Sequence, residues 1–381
     1  MSPRVCILAN TISYPEGGGH AWAYLNWALG LRDAGCQVLW LESLKPETPP
    51  GEAQAKAAAL RSRLTRYGLG DALVLWVGDE SGERAVEGYP GVEGFPGLEV
   101  AESADLLLNF RYALDDSMLR RFRRTALVDI DPGLLQVWLS RGEIRVRPHD
   151  RYFTIGETVG QPGSLIPDVG LAWHHTPPPV SLGAWPVADA PAEAAFTTVS
   201  HWYAQEWMMG TDGAWYSNDK RSGYLPFLDL PRLTKQPVEL ALCLGDIGLE
   251  RDELRGRGWR IRDSVEVTST PWDYQAYIQG SRGEFSCVKP SCVRLQNAWI
   301  SDRTICYLAS GKPAIVQDTG PSRILPDRGG LLRFRTPPEA AACLEEAATD
   351  YERHSRAARA LAEAVFDARK VATRLVEMAL D

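Results

Sequence analysis

The sequence contains no long block of lysine and arginine and no long apolar run, although it has 381 residues. Its formal net charge is −8, whereas a protein whose main partner is nucleic acid needs a concentrated basic face to neutralise phosphates. The longest apolar runs, such as residues 72–77, are far too short to span a bilayer. No charged and then apolar leader segment opens the chain. We therefore expect a cytoplasmic protein with no transmembrane segment and no nucleic-acid partner.

The sequence also lacks the spacing of a metal site. Its seven cysteines are odd in number and lie mostly inside apolar runs, which is typical of reduced core thiols rather than zinc ligands. His174 and His175 are adjacent, but no matching carboxylate or histidine pair flanks them, so we assign them to a loop. The one Asp-x-Asp, Asp129 to Asp131, lies in the first half of the chain. The sequence predicts no bound metal.

What the sequence does have is a repeated alternation of short apolar strands and helical patterns. A chain of this length fits two domains of about 150 to 200 residues. A segment rich in Pro and Ala at 176–195 has no period and is typical of a linker. Predicted strands before it are 5–9, 38–41, 73–77, 106–110, 126–130 and 152–155, with helices at 20–34, 52–67 and 116–123. Predicted strands after it are 195–200, 238–244, 260–263, 313–318 and 330–334, followed by one long amphipathic helix from 337 to about 379. The alternation predicts two Rossmann-like domains that bind ligands in the crevice at the carboxyl ends of their strands.

Three glycines, Gly17, Gly18 and Gly19, follow the first predicted strand and open a helical pattern, with His20 next. The run lacks the third glycine of a dinucleotide fingerprint, and Glu42 after the second predicted strand is its only candidate ribose ligand. No P-loop sequence is present. What remains is a turn with free backbone N–H groups at a helix start, where the helix dipole favours a neutral imidazole. His20 is therefore a candidate general base, the alternative being a polar residue without a chemical role.

A second helix unit, "SDRTICYLASGKP", begins at Ser301. Ser301 is a natural N-cap, and Asp302, Arg303 and Thr304 form the first turn. A helix start with a hydroxyl and a guanidinium group can bind a diphosphate. The alternative is an ordinary N-cap beside a solvated arginine.

Further charged residues stand near these two stretches. Lys220 and Lys289 are candidate cations for the same diphosphate, although scattered basic residues usually lie at the surface. Asp131, after the fifth predicted strand, could orient His20 or contact an acceptor, or simply start a turn before Pro132. His149, Asp150 and Glu157 cluster around the sixth predicted strand.

Over nearly its whole length the chain resembles a GT-B glycosyltransferase. In that fold a Gly-rich loop opens the acceptor domain, and a helix–strand unit like "DRTICYLASGKPAIVQDTG" (302–320) holds the nucleotide-sugar in the second domain. A final helix like residues 354–379 crosses back to the N-terminal domain. The resemblance places His20 where many inverting members have their base and Ser301 to Thr304 where the diphosphate binds. It places the donor sugar against Asp318, Thr319 and Gly320.

The chain departs from two subfamily signatures. Retaining members commonly carry two glutamates separated by seven residues, and Ala298 and Cys306 occupy those positions here. The His-Cys-Gly-Trp-Asn-Ser signature of plant-type members is reduced to "NAWISDR". The donor and the stereochemistry therefore stay open.

The resemblance implies an α/β fold with two Rossmann-like domains facing each other across a cleft. The implied boundaries are 1–178 for the acceptor domain, 179–194 for the linker, 195–360 for the nucleotide-sugar domain and 361–381 for the final helix. The implied activity is transfer of a sugar from a nucleotide-diphosphate donor to a small-molecule or oligosaccharide acceptor. We expect no metal and no cofactor besides this co-substrate. The alternatives are a sugar-nucleotide epimerase of the same fold and a nucleotide-sugar-binding protein without activity.

Overall fold

The computed structural model describes residues 2–78, 89–209, 213–243, 248–326 and 328–381. The chain forms two compact units. The first unit contains Met1–Gly160, Pro167–Ser181 and Ala368–Asp381, and the second contains Gln161–Ile166 and Leu182–Asp367. This division does not test the domain boundaries expected from the sequence, which stay a prediction.

The first unit is built on a parallel sheet of seven strands. These are β1 (Arg4–Leu8), β2 (Gln37–Leu44), β3 (Leu73–Val77), β4 (Leu106–Asn109), β5 (Thr125–Asp129), β6 (Arg151–Thr154) and β7 (Trp173–His175). Their order in the sheet is β3-β2-β1-β4-β5-β6-β7. Strands such as β3, with every residue buried, are continuous apolar runs because helices cover both faces of a parallel sheet.

Helices connect these strands. They are α1 (Gly18–Asp33), α2 (Pro50–Arg66), α3 (Leu98–Glu102), α4 (Asp116–Leu119) and α5 (Leu134–Ser140), with a 3₁₀ turn at Gly70–Ala72. The first two follow the predicted helices closely. The predicted helix at 116–123 is shorter than expected, because α4 ends at Leu119.

The second unit contains a parallel sheet of six strands and a separate hairpin. The strands are β8 (Phe196–His201), β9 (Trp207–Met209), β10 (Trp215–Ser217), β11 (Val238–Cys243), β12 (Arg260–Asp263), β13 (Gly283–Ser286), β14 (Ala314–Gln317) and β15 (Leu331–Phe334). The sheet order is β12-β11-β8-β13-β14-β15, and β9 pairs with β10 as the antiparallel hairpin. Residue 244, the end of one predicted strand, lies outside the described residues.

The helices of the second unit surround this sheet. They are α6 (Lys220–Tyr224), α7 (Gly248–Gly256), α8 (Ser264–Thr268), α9 (Pro271–Gln279), α10 (Pro290–Arg294), α11 (Asp302–Ala309), α12 (Pro337–Thr349) and α13 (Tyr351–Leu361). Two 3₁₀ turns lie at Leu225–Phe227 and Leu230–Arg232, and a π-helical turn lies at Ala362–Phe366. In the core, the ring of Phe285 on β13 stacks on that of Phe334 on β15 at 5.3 Å between centroids.

The single long helix predicted for residues 337–379 is wrong. The segment forms α12, α13 and a last helix, α14 (Ala368–Leu380). The backbone leaves helical geometry at Asp350 (ψ 54°) and at Asp367 (ψ 112°). The second break coincides with the passage of the chain into the first unit, where the Ala368 N–H donates to the Val180 carbonyl (3.0 Å). As the resemblance implied, the last helix belongs to the N-terminal unit.

Four strands were not predicted: β7, β9, β10 and β13. His174 and His175, assigned to a loop, lie in β7 at the edge of the first sheet. The strand β13 is central in the second sheet and fully buried, yet it contains Glu284 and Ser286. A buried carboxylate breaks the apolar pattern by which buried strands are recognised.

Candidate functional site

The loop between β1 and α1 presents His20 in the first turn of α1. Gly17 precedes the helix, and Gly18 and Gly19 are its first two residues. A Cβ atom on Gly17 would lie 2.4 Å from the Tyr14 ring, so only glycine allows Tyr14 to fold back over this turn. The His20 ring then lies edge-on to the rings of Tyr14 and Tyr24, at 5.9 and 5.3 Å between centroids.

The hydrogen bonding of His20 indicates its tautomer. Nε2 lies 2.6 Å from the main-chain oxygen of Asn10. Because a carbonyl oxygen can only accept, Nε2 carries the hydrogen and donates it, which leaves the lone pair of the neutral ring on Nδ1. Within the described residues Nδ1 has no hydrogen-bond partner. His20 therefore has the free basic nitrogen that proton abstraction requires.

Glu42 on β2 fixes this loop in place. Its Oε1 accepts from the Thr11 N–H (2.8 Å), the Thr11 hydroxyl (2.5 Å) and Trp40 Nε1 (3.0 Å). The residue is only 1% exposed, and this burial raises the pKa of its carboxyl group. Glu42 is thus not accessible to a ribose and serves instead to anchor the turn that precedes His20.

At the end of β5 the buried carboxylate is Asp129, not Asp131. Asp129 accepts from Gln136 Nε2 (2.7 Å), the Thr154 hydroxyl (2.9 Å) and the Asp131 N–H (3.0 Å). Burial raises its pKa to about 6. The Asp131 side chain is exposed, and its proposed contact with His20 stays a prediction. Asp129 is the residue that ties β5, β6 and α5 together.

Two other polar residues of the first unit, His149 and Asp150, have structural contacts. His149 donates from Nδ1 to the Arg147 carbonyl (2.7 Å) and accepts at Nε2 from Asn109 (3.0 Å), so both ring nitrogens are used. Asp150 accepts from the N–H and hydroxyl groups of Thr125 (2.8 and 3.1 Å). These residues hold neighbouring strands together.

In the second unit, α11 begins as the sequence predicts. Ser301 is its N-cap and accepts from the Arg303 N–H (3.2 Å), while donating to the Asp302 carboxylate (3.1 Å). Thr304 is buried, with 1% exposure. This helix start therefore has the geometry expected of an anion-binding turn, but its hydroxyls are already engaged or buried.

The Arg303 guanidinium is not solvated. Its Nε donates to Glu284 (2.8 Å) and its Nη1 to the Val199 carbonyl on β8 (2.9 Å). Glu284 is completely buried. Within the described residues Nη2 has no hydrogen-bond partner and is not among the buried polar atoms. Arg303 can thus direct one nitrogen outward while its other contacts fix the guanidinium plane.

Lys220 approaches Arg303 from α6. Gly223 allows this helix to lie against the backbone beyond β13, because a Cβ there would come 1.9 Å from the Val288 carbonyl oxygen. Lys220 Nζ donates to the Cys287 carbonyl (3.4 Å) and lies 5.4 Å from the centroid of the Trp299 ring. Burial, Arg303 and Lys289 together lower the pKa of Lys220 to about 8. Within the described ranges no carboxylate lies in ion-pair distance of Lys220.

Lys289 is held by a carboxylate. Its Nζ lies 2.8 Å from Glu206, at the base of the β9–β10 hairpin. Asn218 donates to the same glutamate and accepts from the Ser291 N–H (2.8 Å), so the hairpin is attached to α10. The three cations predicted to bind a diphosphate therefore influence one another electrostatically, and two of them have carboxylate partners.

The residues predicted to hold the donor sugar are bonded to neighbouring protein groups. Asp318 forms ion pairs with Arg333 (3.3 Å) and Arg335 (2.7 Å) and accepts from the Gly320 N–H (3.0 Å). The Thr319 hydroxyl donates to the Trp299 carbonyl (2.8 Å). Their contact with a sugar stays a prediction. What the described contacts give them is a role in shaping the loop after β14 and joining it to residues 296–299.

Three residues of this region were not identified from the sequence: Glu284, Glu206 and Trp299. Each acts on a cation far away in the chain, so no local spacing marks it. Ala298 and Cys306, at the positions of the retaining-type glutamates, are both buried, and Cys306 donates its thiol hydrogen to the Asp302 carbonyl (3.2 Å). No carboxylate therefore replaces that motif at either position.

The described part of the chain contains neither a metal-type cluster nor a membrane-spanning helix. No three His, Cys, Asp or Glu side chains there are grouped so as to hold a metal ion. No described helix combines the length and the apolar character needed to cross a membrane.

No family model and no curated protein matches the chain, but solved structures do. An alpha-glucosyltransferase in complex with UDP and a 13-mer DNA is 10% identical, with both chains covered fully and a TM-score of 0.58. The HepE protein of Anabaena, in complex with UDP and glucose, is 12% identical, with 99% of each chain covered and a TM-score of 0.57. A glycosyltransferase from Rickettsia africae is 9% identical over 99% of this chain and 98% of its own, with a TM-score of 0.54. Such likeness establishes the fold, and the chain is an α/β protein with two parallel sheets and the GT-B fold of these glycosyltransferases.

Proposed function

We propose that the protein transfers a sugar from a nucleoside-diphosphate sugar to a hydroxyl group of a small-molecule or oligosaccharide acceptor. The observation that carries this proposal is the surplus positive charge beside the start of α11. Lys220, Lys289 and Arg303 influence one another there, and the ion pairs of the latter two leave Lys220 without a carboxylate in the described chain. A buried charge without a partner is costly, and a diphosphate supplies the missing negative charge.

The donor is bound through its diphosphate in this proposal. Lys220 and Nη2 of Arg303 contact the phosphate oxygens, with Lys289 nearby and the start of α11, Ser301 to Thr304, adding its dipole. The same cations stabilise the charge that develops on the diphosphate as it leaves. Two structural neighbours were solved with UDP, which supports a nucleoside diphosphate as the leaving group.

His20 is the general base in this proposal. Its Nδ1 takes the proton of the acceptor hydroxyl while that oxygen bonds to the anomeric carbon. The bond from this carbon to the phosphate oxygen breaks, and the nucleoside diphosphate leaves with the bonding electrons. Attack by one group as the other departs inverts the anomeric configuration. The exposed Asp131 is proposed to orient His20 or to contact the acceptor.

The remaining parts of the proposal concern the acceptor, metal dependence and location. One neighbour was solved with DNA, but a net charge of −8 without a long basic block favours an uncharged acceptor here. We propose catalysis without a metal ion, since protein cations can neutralise the diphosphate, and a cytoplasmic location. Asp318, Thr319 and Gly320 are proposed to form the loop against which the donor sugar lies.

The first test is a thermal-shift measurement with a panel of nucleoside diphosphates, followed by an assay for nucleotide release. We expect one diphosphate to stabilise the protein and its sugar conjugate to release nucleotide only when an acceptor is present. Interconversion of donor sugars without release would instead indicate the epimerase, and stabilisation without turnover a binding protein. No shift with any nucleoside diphosphate at millimolar concentration would contradict all three.

Two further measurements refine the mechanism. Inversion at the anomeric carbon, read by NMR of the product, is expected, whereas retention would rule out His20 as the base. Chelator should leave activity unchanged, and loss of activity that manganese or magnesium restores would contradict metal independence.

A further inference from the structure

We propose that Trp299 is a positioning residue that holds the Lys220 ammonium group ready for the donor diphosphate by a cation–π contact. This inference rests on the proposed function, because it assigns a purpose to the cation of the same site. The sequence comparison gives Trp299 no role beyond its place in "NAWISDR". Its role follows from what surrounds Lys220.

The ammonium group needs a partner that preserves its charge. It faces Arg303 of α11, Lys289 before α10, and the thiols of Cys287 and Cys292. The neighbouring cations and burial both favour loss of its proton, and its pKa is lowered to about 8. A carboxylate would keep the ammonium group protonated, but it would also take up the N–H donors that a phosphate needs. The face of an indole ring attracts a cation within about 6 Å without accepting its N–H groups in ordinary hydrogen bonds.

The geometry of Lys220 fits this requirement. Nζ lies 5.4 Å from the centroid of the Trp299 ring and donates one hydrogen bond, to the Cys287 carbonyl. A lysine has three N–H donors, so two remain for phosphate oxygens. Within the described residues no side chain competes for them.

The backbone around Trp299 is built to hold the ring in place. Gln296 and Ala298 have positive φ angles of 49° and 51°, a conformation that is costly for residues other than glycine and that clusters at functional sites. The Ala298 N–H donates to the Thr319 carbonyl (3.0 Å). The Thr319 hydroxyl donates in turn to the Trp299 carbonyl (2.8 Å). The loop after β14 thus stabilises the strained segment that carries Trp299.

The indole nitrogen gives a second, independent observation. Trp299 Nε1 is buried and has no hydrogen-bond partner in the described chain. A buried N–H without an acceptor destabilises a protein. Hydrogen bonding of the indole therefore does not account for the position of the ring, whereas its face does meet the Lys220 ammonium group.

The test compares Trp299→Leu and Trp299→Phe with the wild type. Lys220 is titrated without nucleotide, by its pH-dependent acetylation with acetic anhydride measured by mass spectrometry. We expect Trp299→Leu to lower the midpoint of Lys220 by about 0.5 to 1 pH unit, and Trp299→Phe to lower it less, because phenyl rings bind cations more weakly. Trp215→Leu, at an exposed tryptophan of β10 (58% exposed), is the matched control and should leave the midpoint unchanged.

Nucleotide affinity gives the second readout. UDP, measured by calorimetry at pH 7 and pH 9, should bind Trp299→Leu more weakly than the wild type, with the larger difference at pH 9. In a Lys220→Met background the same substitution should add no further loss, because the two residues act as one unit. Additive losses would overturn the inference.

Failure of this inference and failure of the proposed function are distinguishable. An unchanged Lys220 midpoint in folded Trp299→Leu and Trp299→Phe would overturn the inference while leaving nucleotide binding intact. Absence of binding of any nucleoside diphosphate by the wild type would overturn the proposed function, whatever the midpoint of Lys220.

Discussion

The two units treat the polar groups at the carboxyl ends of their strands in opposite ways. In the first unit, the buried carboxylates of Glu42 and Asp129 each accept several hydrogen bonds from their own unit. In the second unit, Lys220 is partly buried with one carbonyl and one aromatic ring as its described contacts. The first arrangement is complete as it stands, and in our proposal the second is completed by the donor diphosphate.

This difference distinguishes side chains that hold the first unit together from a cation of the second unit that can bind a ligand. A satisfied buried network makes a structure rigid, and in the first unit it fixes the loop that carries His20. An unsatisfied cation does not stabilise the empty protein but is available to a ligand. The comparison predicts that substitutions at the carboxylates mainly affect stability, whereas those at the cations mainly affect donor binding.

The largest expected effect comes from His20, whose Nδ1 has no hydrogen-bond partner within the described residues. His20→Ala should lower kcat about 10²- to 10⁴-fold, the usual contribution of a general base. Nucleotide affinity should not change, since the cations lie in the second unit. The measurement is turnover with the acceptor identified by nucleotide release. His174→Ala, in β7 of the same unit, is the control, and a His20→Ala enzyme within a few-fold of wild type would refute the assignment.

The next largest effect is on stability, at Asp129. Asp129→Ala should lower the free energy of unfolding by about 2 to 4 kcal/mol, because buried donors lose their acceptor. The pKa is about 6 in the folded protein, above the ordinary 3.8. The contribution of Asp129 to the free energy of unfolding is therefore fully present below about pH 3.8, and it is lost as the pH rises through about 6. The cost of the substitution should accordingly be larger at pH 4 than at pH 7.

Denaturant unfolding at pH 4, 5.5 and 7 measures this effect. Asp131→Ala is the control, because that side chain is exposed and should change stability by less than about 0.5 kcal/mol. Equal effects of the two substitutions would mean that Asp129 is not the centre of the network.

The smallest expected effect is on UDP binding, and a pair of lysines in the second unit tests it. Lys312 is fully buried before β14, and its Nζ has no hydrogen-bond partner in the described chain. Burial lowers its pKa to about 8, the same value as that of Lys220. Lys220→Met should weaken UDP binding about 10- to 150-fold, equivalent to roughly 1.5 to 3 kcal/mol. Lys312→Met should leave it unchanged, because Lys312 lies at the amino end of its strand.

In the same two lysine variants, the effect on stability should differ from the effect on UDP binding. Both lysines have a folded pKa below 10.5, so the cost of burying their charge is present below about pH 8 and disappears as the pH rises toward 10.5. Both substitutions should therefore maintain or raise the melting temperature at pH 7, and this gain should shrink by pH 10. A similar loss of UDP affinity in both variants would contradict the proposed location of the diphosphate.

The sequence predicted the fold well because the fold depends on local patterns. Apolar strands followed by helical periods locate most of both sheets, and Ser301 marks the start of α11 by its capping chemistry. The strand β13 was not predicted because its buried Glu284 breaks the apolar pattern. That carboxylate is stabilised by Arg303, a partner that lies outside the strand. The single long helix predicted at the end of the chain was wrong because the switch between units at Asp367 is a tertiary effect that leaves no break in the periodicity.

The candidate site was less predictable. The sequence identified Lys220, Lys289 and Arg303 as cations but not which of them keeps its charge unneutralised. That distinction depends on Glu206, Glu284 and Trp299. These residues contact their cations only in the folded chain, so no spacing in the sequence identifies them. Asp318 was chosen for its position in the resemblance, and its ion pairs with Arg333 and Arg335 could not be inferred from the pattern alone.

The position of α14 has a consequence for the order in which the chain can be completed. The ribosome produces the seven strands of the first unit before the strands of the second. Yet the first unit includes Ala368–Asp381, and all residues of the second have been made by Asp367. The unit that begins synthesis first therefore receives its full set of helices after the second unit, and the surface of α1 that α14 covers stays open until Ala368–Asp381 emerge.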